Sequence, residues 1–208
     1  MSRYYEATVH WYENIAREGR ENPSPHRRKI CQNYLEHAAL EYTQRWPEIF
    51  TPERTVDHPV YKVRWGTPET VVFDGLEAVK GFYTELKDGG VLTNQDELLS
   101  VADWGFSSFL KINLFRTGAQ LQELGVEVDD VSANYIVQTP CAMYWLYDDD
   151  ARLIGEHVYE MEPGTIVKVS DEDLVTSEDL VRLVAPYLQH GREVGTSNAF
   201  KDLATSGT

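Results

Sequence analysis

Cysteine is scarce in this chain. Its two residues among 208, Cys31 and Cys141, make no disulfide framework, and each sits in an apolar pattern that reads as plain core. Long hydrophobic runs are also missing. Nothing approaches the roughly 18 consecutive apolar residues of a membrane span. The opening "MSRYYEATVHWYENI" has no cationic start leading into an apolar run. No signal peptide and no membrane contact are therefore expected, and a cytoplasmic location is. Positive charge is thin: 19 Lys and Arg stand against 34 Asp and Glu, for a net charge of −15. Such a surface repels a phosphate backbone and argues against a nucleic-acid partner. The one basic cluster, "HRRK" at 26–29, reads as a solvated helix start. Several reactive motifs are absent. There is no Gly-x-Ser-x-Gly, no glycine-rich phosphate loop after a strand, no His-Glu-x-x-His and no cysteine pair at metal spacing. No metal and no cofactor are expected.

What the chain does have is aromatic surface: 12 Tyr, 7 Phe and 5 Trp. These side chains suit a core, a subunit interface or a pocket for a flat ligand. The length allows one domain with a real core. Residues 1–26 are polar and end in "ENPSPH", which reads as an N-terminal arm with a short helix around Tyr5 to Arg17. A domain over 27–190 follows, and 191–208 reads as a small, polar, flexible tail.

Within the domain, "RRKICQNYLEHAALEYTQRW" repeats Ile30, Tyr34, Ala38 and Tyr42 at helical spacing and stops at Trp46-Pro47. A strand over 55–65 turns at "GTPET" into "VVF". Asp74 and Glu77 read as a capping box for a helix striped by Leu76, Val79, Phe82, Tyr83 and Leu86, which ends at "KDGG". Strands are then expected at 98–104, 106–115, 131–147, 152–162 and 165–169, with a short helix in "RTGAQLQELGVEVDD". "SEDLVRLVAPYLQHG" reads as a last helix. Helices first and a curved antiparallel sheet afterwards make an α+β fold.

These elements and particular residues resemble a known family. Tyr34, Phe50, "TVDHPV" at 55–60 and the Gly75–Tyr83 helix stand at the separations found in bacterial ketosteroid isomerases. The chain is thereby similar to the NTF2-like, or SnoaL-like, superfamily, whose cone-shaped fold packs helices on a curved sheet. Two departures matter. The isomerase's general-base aspartate matches His58 here, and its second oxyanion donor falls near Met143. The resemblance implies that His58 points into the cone. An imidazole there exchanges protons near neutral pH, and Tyr34 would donate to a developing oxyanion or a leaving hydroxyl. That combination is closer to scytalone dehydratases of the same fold, which act without a cofactor.

Side-chain alternation extends the expected site. In "RLIGEHVYEME" the face Leu153, Gly155, His157, Tyr159 and Met161 is mostly apolar, and the acids share the other face. The apolar face is expected to look into the cone, bringing His157 in as a second catalytic group. Tyr42, Tyr144, Tyr159 and Trp104 are expected substrate contacts. Lys62 and Arg64 share the parity of His58 and join them as binders of a phenolate or oxyanion.

The expected activity is a cofactor-independent lyase. It would use His58, Tyr34 and His157 to eliminate water or formaldehyde from a small hydroxylated aromatic compound. Scytalone dehydratases, and the diarylpropane γ-formaldehyde lyase on fold and composition alone, are the comparisons. A steroid-type enone isomerase and a non-catalytic binding module stay open as alternatives. Both faces of "CAMYWLY" are apolar, and the superfamily commonly self-associates through the outer face. A homodimer or homotrimer is expected.

Overall fold

A computed structural model describes residues 2–86 and 91–193. Helix α1 (Arg3–Glu21) is capped by Ser2, whose hydroxyl accepts from the Tyr4 and Tyr5 amides and donates to the Asp173 carbonyl. Helix α2 (Pro25–Tyr42) starts at the Ser24 cap with Pro25 in its first turn, where a missing N–H costs nothing. A short 3-10 turn (Trp46–Ile49) leads to strands β1 (Val60–Arg64) and β2 (Val71–Asp74), then helix α3 (Leu76–Leu86). Strands β3 (Leu92–Ala102) and β4 (Gly105–Thr117) follow, then helix α4 (Gly118–Glu123) and strands β5 (Asn134–Tyr147), β6 (Leu153–Glu160) and β7 (Thr165–Val169). Helix α5 (Ser177–Glu193) comes last. The "KDGG" stop falls on 87–90 and lies outside the described residues, as does the expected tail from 194 onward.

The fold is α+β, as the order of elements implied. The sheet runs β2-β1-β6-β5-β4-β3, with β7 also paired to β5. One expectation is corrected: the sheet is mixed rather than antiparallel throughout, because β1 runs parallel to β6. Gly155 makes that pairing possible, since a Cβ there would meet the Val60 carbonyl oxygen at 2.2 Å.

The N-terminal segment is more than an arm with a short helix. Tyr4, Thr8, Trp11, Tyr12, Ile15 and Ala16 recur at helical spacing on α1 and are buried. Their face packs on α2 and β3. Helix α2 is buried nearly all round, held by α1 on one side and α5 on another. "HRRK" is not simply solvated either. His26 Nε2 lies 2.9 Å from the Asp103 carbonyl and Arg27 donates to the Asp103 carboxylate at 2.8 Å, tying α2 to the β3–β4 turn.

Two irregularities decide which side chains face the helices. On β3 the register shifts between Gln95 and Leu98, with Asp96 at φ 57° as the extra residue. On β6, Leu153 pairs with Tyr147 but Gly155 with Leu146, so Ile154 is extra. Each one-residue bulge reverses the alternation beyond it. Among the described residues no helix is long and apolar enough to cross a membrane.

The integral role of α1 is testable. Ile15 is fully buried, so Ile15→Ala is expected to lower unfolding stability by about 2–5 kcal/mol in urea titrations. A detached arm would leave stability unchanged.

Candidate active site

The concave face of the sheet and helices α1–α3 enclose a cavity of about 440 Å³, within the size range of small-molecule sites. Its walls are largely aromatic. Trp11 stacks on Tyr42, Trp46 stacks on Tyr83 with centroids 5.6 Å apart, and Trp145 stacks on Phe106 behind the lining. Into this apolar space project two carboxyls, Glu41 from α2 and Glu156 from β6.

Helical spacing explains Glu41. It lies seven residues after Tyr34 and three after Ala38, on the face that meets the cavity. The bulge at Ile154 explains Glu156: beyond it Glu156 and Val158 turn inward, and Glu156 is 7% exposed. Burial raises the Glu156 carboxyl well above the usual range, and the nearby charge of Glu41 raises it further. Hydrogen bonding by Tyr83 acts in the opposite direction. Burial also lifts Glu41, to about 7. The charge of Glu41 disfavours ionisation of Glu156, so the two carboxyls titrate as a linked pair.

A polar shell backs this pair. The Tyr83 hydroxyl lies 2.7 Å from His37 Nε2, and that nitrogen is 3.8 Å from Glu156 Oε2. Full burial drives His37 down to about 3, so it is neutral at physiological pH and serves as a hydrogen-bonding group rather than a cation. Tyr61 stands beside Tyr83, fully buried. Among the described residues, His37 Nδ1 and Tyr42 Oη are buried without a hydrogen-bond partner. Unpaired buried polar atoms in a cavity are what a polar ligand would satisfy.

A second carboxyl centre lies behind Tyr34. The bulge at Asp96 turns Glu97 inward, where Tyr34 donates to it at 2.9 Å and Ser108 at 2.7 Å. Burial pushes Glu97 up to about 7 despite those donors.

Of the residues expected from sequence, Tyr34 and Tyr42 line the cavity. The others do not. His58 is a correction: it precedes β1 with its side chain 71% exposed and Nε2 2.7 Å from Asp74 Oδ1. The inward residues of β1 are Tyr61 and Val63, so the opposite parity carries Lys62 and Arg64 outward. Arg64 donates to the Glu160 carbonyl at 3.2 Å and stands over the Tyr159 ring. His157 is corrected for a different reason. Leu153 does face inward, but the extra residue Ile154 reverses the alternation, so His157 and Tyr159 take the outer face and the acids the inner one. Beside them on that outer face, Tyr144 pairs with His157 and is 46% exposed. Trp104 stands exposed in the β3–β4 turn. Sequence reasoning missed Glu41, His37, Tyr83 and Arg116, although Glu41 and His37 share a helical face with Tyr34, which it had selected. Glu156 and Glu97 were hidden by bulges that leave no plain sequence mark.

No family model and no curated protein matches the chain. Solved structures do. A SnoaL-like polyketide cyclase from Jannaschia sp. CCS1 is 14% identical, with 68% of this chain and 91% of that one covered at a TM-score of 0.48. A polyketide cyclase from Xanthomonas campestris pv. campestris is 10% identical, covering 64% and 91% at 0.45. A Mycobacterium tuberculosis protein in complex with estradiol-17β-hemisuccinate is 12% identical, covering 65% and 95% at 0.40. Of the three, the Jannaschia protein is the one described as SnoaL-like. Likeness of this degree says nothing about activity or substrate, which rest on the site itself.

The raised carboxyls set a pH dependence. Each releases its proton near 4.5 when unfolded; when folded, Glu41 and Glu97 do so at about 7, and Glu156 is raised well above its ordinary range. Between these values the folded state holds more protons, so stability falls as pH rises. This is the reverse of a salt-bridged carboxylate. Urea unfolding is expected to show highest stability near pH 5 and a decline toward pH 8. Glu97→Gln is expected to remove up to about 3 kcal/mol of that decline; an unchanged slope would contradict the burial argument.

Proposed function

We propose that the chain is a cofactor-independent lyase that eliminates water or formaldehyde from a small hydroxylated aromatic compound. The observation that supports it is the pair Glu41 and Glu156, two carboxyls held at high proton affinity in one aromatic cavity. They take the acid and base roles that the sequence motifs had assigned to His58 and His157.

In dehydration, ionised Glu41 removes the proton on carbon next to an electron-withdrawing group. The C–H electrons form the new double bond, the C–O bond breaks, and the leaving hydroxide takes the proton of neutral Glu156 as water. In formaldehyde release, Glu41 removes the proton of a primary alcohol instead. The O–H electrons form the carbonyl of formaldehyde, the carbon–carbon electrons form the alkene, and the benzylic hydroxide leaves with the Glu156 proton. Tyr83, whose hydroxyl lies 2.7 Å from His37 Nε2, supports the Glu156 carboxyl, and Tyr34 would turn its one proton from Glu97 to a developing oxyanion. Both proton carriers belong to the chain, so the chemistry calls on no cofactor. A near-neutral proton affinity is what general acid–base work at physiological pH needs.

One observation favours a second reading. Neutral Glu156 beside the Tyr83 hydroxyl offers two uncharged donors, as isomerisation of an enone through a dienolate requires. The outer sheet face exposes Leu98, Phe109 and Tyr144. We propose that the chain, whichever reaction it catalyses, self-associates through that face as a homodimer or homotrimer, which sedimentation velocity of the wild type would decide.

Mass spectrometry of hydroxylated diaryl, polyketide and enone compounds incubated with the protein separates the readings. Loss of water or formaldehyde identifies the lyase, a product of unchanged mass the isomerase, and binding without turnover a binding module. Glu156→Gln and Glu41→Gln are each expected to reduce turnover by roughly 10²- to 10⁴-fold, while His58→Ala leaves it within about twofold. Full activity in both Gln variants would end this proposal.

A further inference from the structure

The cavity has a cation as well as carboxyls. Arg116, on β4, is the one positively charged side chain among its described lining residues. It continues the inward row Ile112, Leu114, Arg116 toward the end of the strand. Among the described residues it has no ion pair and donates no side-chain hydrogen bond. Acids outnumber bases by fifteen in this chain, and several other cations pair with them. Arg27 pairs with Asp103, Arg54 with Glu36, Arg152 with Asp148 and Lys168 with Asp129. Arg116 is half-buried, and loss of solvent lowers its proton affinity. A guanidinium stays charged under that pressure. Removing a charge from water without a counter-ion is unfavourable, so the arrangement is complete only when an anion arrives.

Its place in the sheet separates it from the carboxyl pair. Arg116 opposes Tyr135 on β5, whereas Glu156 opposes Trp145 on the same strand, ten residues further on. Ten residues of straight strand span on the order of 30 Å, less across a curved concave face. The acid–base pair and the cation therefore stand toward different ends of one aromatic-walled space. Neutral polar side chains, Gln44, Thr67 and Ser177, also reach the cavity.

We infer that Arg116 is a specificity-determining residue that receives an anionic group, a carboxylate or an equivalent oxyanion, on the end of the substrate remote from the reacting carbon. The ligand class is then an elongated aromatic acid rather than a neutral polycycle. A planar guanidinium matches a carboxylate with two parallel hydrogen bonds. The net charge of the protein repels anions at long range, so binding relies on this one local contact and should weaken with its loss alone. The inference rests on the proposed function for the identity of the reacting end. The anion preference itself does not depend on turnover.

A matched pair of fluorescent probes tests it in the full chain: 1-anilinonaphthalene-8-sulfonate, and N-phenyl-1-naphthylamine, the same ring system without the anion. Wild type is expected to bind the sulfonate more tightly than the amine. Arg116→Gln is expected to weaken the sulfonate by roughly 10- to 100-fold and to leave the amine within about twofold, which also shows that the variant is folded. Arg116→Lys keeps the charge without the planar fork and should fall between. Equal binding of both probes by wild type, binding of neither, or a preference that survives Arg116→Gln would overturn the inference. None of those results bears on the Glu41–Glu156 pair, whose test is turnover. Conversely, a Glu156→Gln variant that lost turnover yet kept the anion preference would support both roles separately.

Discussion

Two one-residue bulges, at Asp96 and Ile154, reverse the alternation of their strands and so aim Glu97 and Glu156 at the helices instead of at solvent. Glu156 lines the cavity and Glu97 lies behind Tyr34, and burial raises the proton affinity of both. Without the bulge on β6, His157 would face inward and Glu156 outward. The site would hold an imidazole in place of a carboxyl pair. One inserted residue thus decides the chemistry of the cavity, and Gly155 beside it allows β1 to lie parallel against β6.

The buried acids are unfavourable for stability at neutral pH, and the fold offsets them locally. Tyr34 and Ser108 donate to Glu97, and Tyr83 supports Glu156. Helix α2 supplies part of this support together with Glu41 and the neutral His37. It is buried nearly all round, with α1 and α5 both packed on it. Strained electrostatics in a small region, held by an aromatic frame elsewhere, is the usual arrangement of sites tuned for proton transfer. Among the described lining residues one guanidinium, Arg116, stands further along the sheet.

The periodic signals in the sequence served well where elements are regular. The i, i+4 row of Tyr34, Ala38 and Tyr42 placed α2 against a cavity, and the same spacing carried through to Glu41 and His37 would have identified two more members of the site. The row Ile112, Leu114 and Arg116 was equally readable as one face of β4. On β1 the alternation itself was right, but the face was assigned through the resemblance of "TVDHPV" to an isomerase motif. That put His58, Lys62 and Arg64 inward, when Tyr61 and Val63 hold the interior.

What the sequence determined by itself was the class of fold, the order of its elements and the aromatic, acidic character of the molecule. Those follow from local propensity, periodicity and composition, which act over a few residues at a time. Only the tertiary structure decided which acids are buried, because a bulge is stabilised by pairing between strands far apart in the chain and leaves no change of composition where it occurs. It also decided that α1 belongs to the core, since the polar residues of that segment cover one face while the other is closed by α2 and β3. The proton affinities of Glu41, Glu97 and Glu156, and the lack of an ion pair for Arg116 among the described residues, are likewise properties of surroundings assembled from distant parts of the chain.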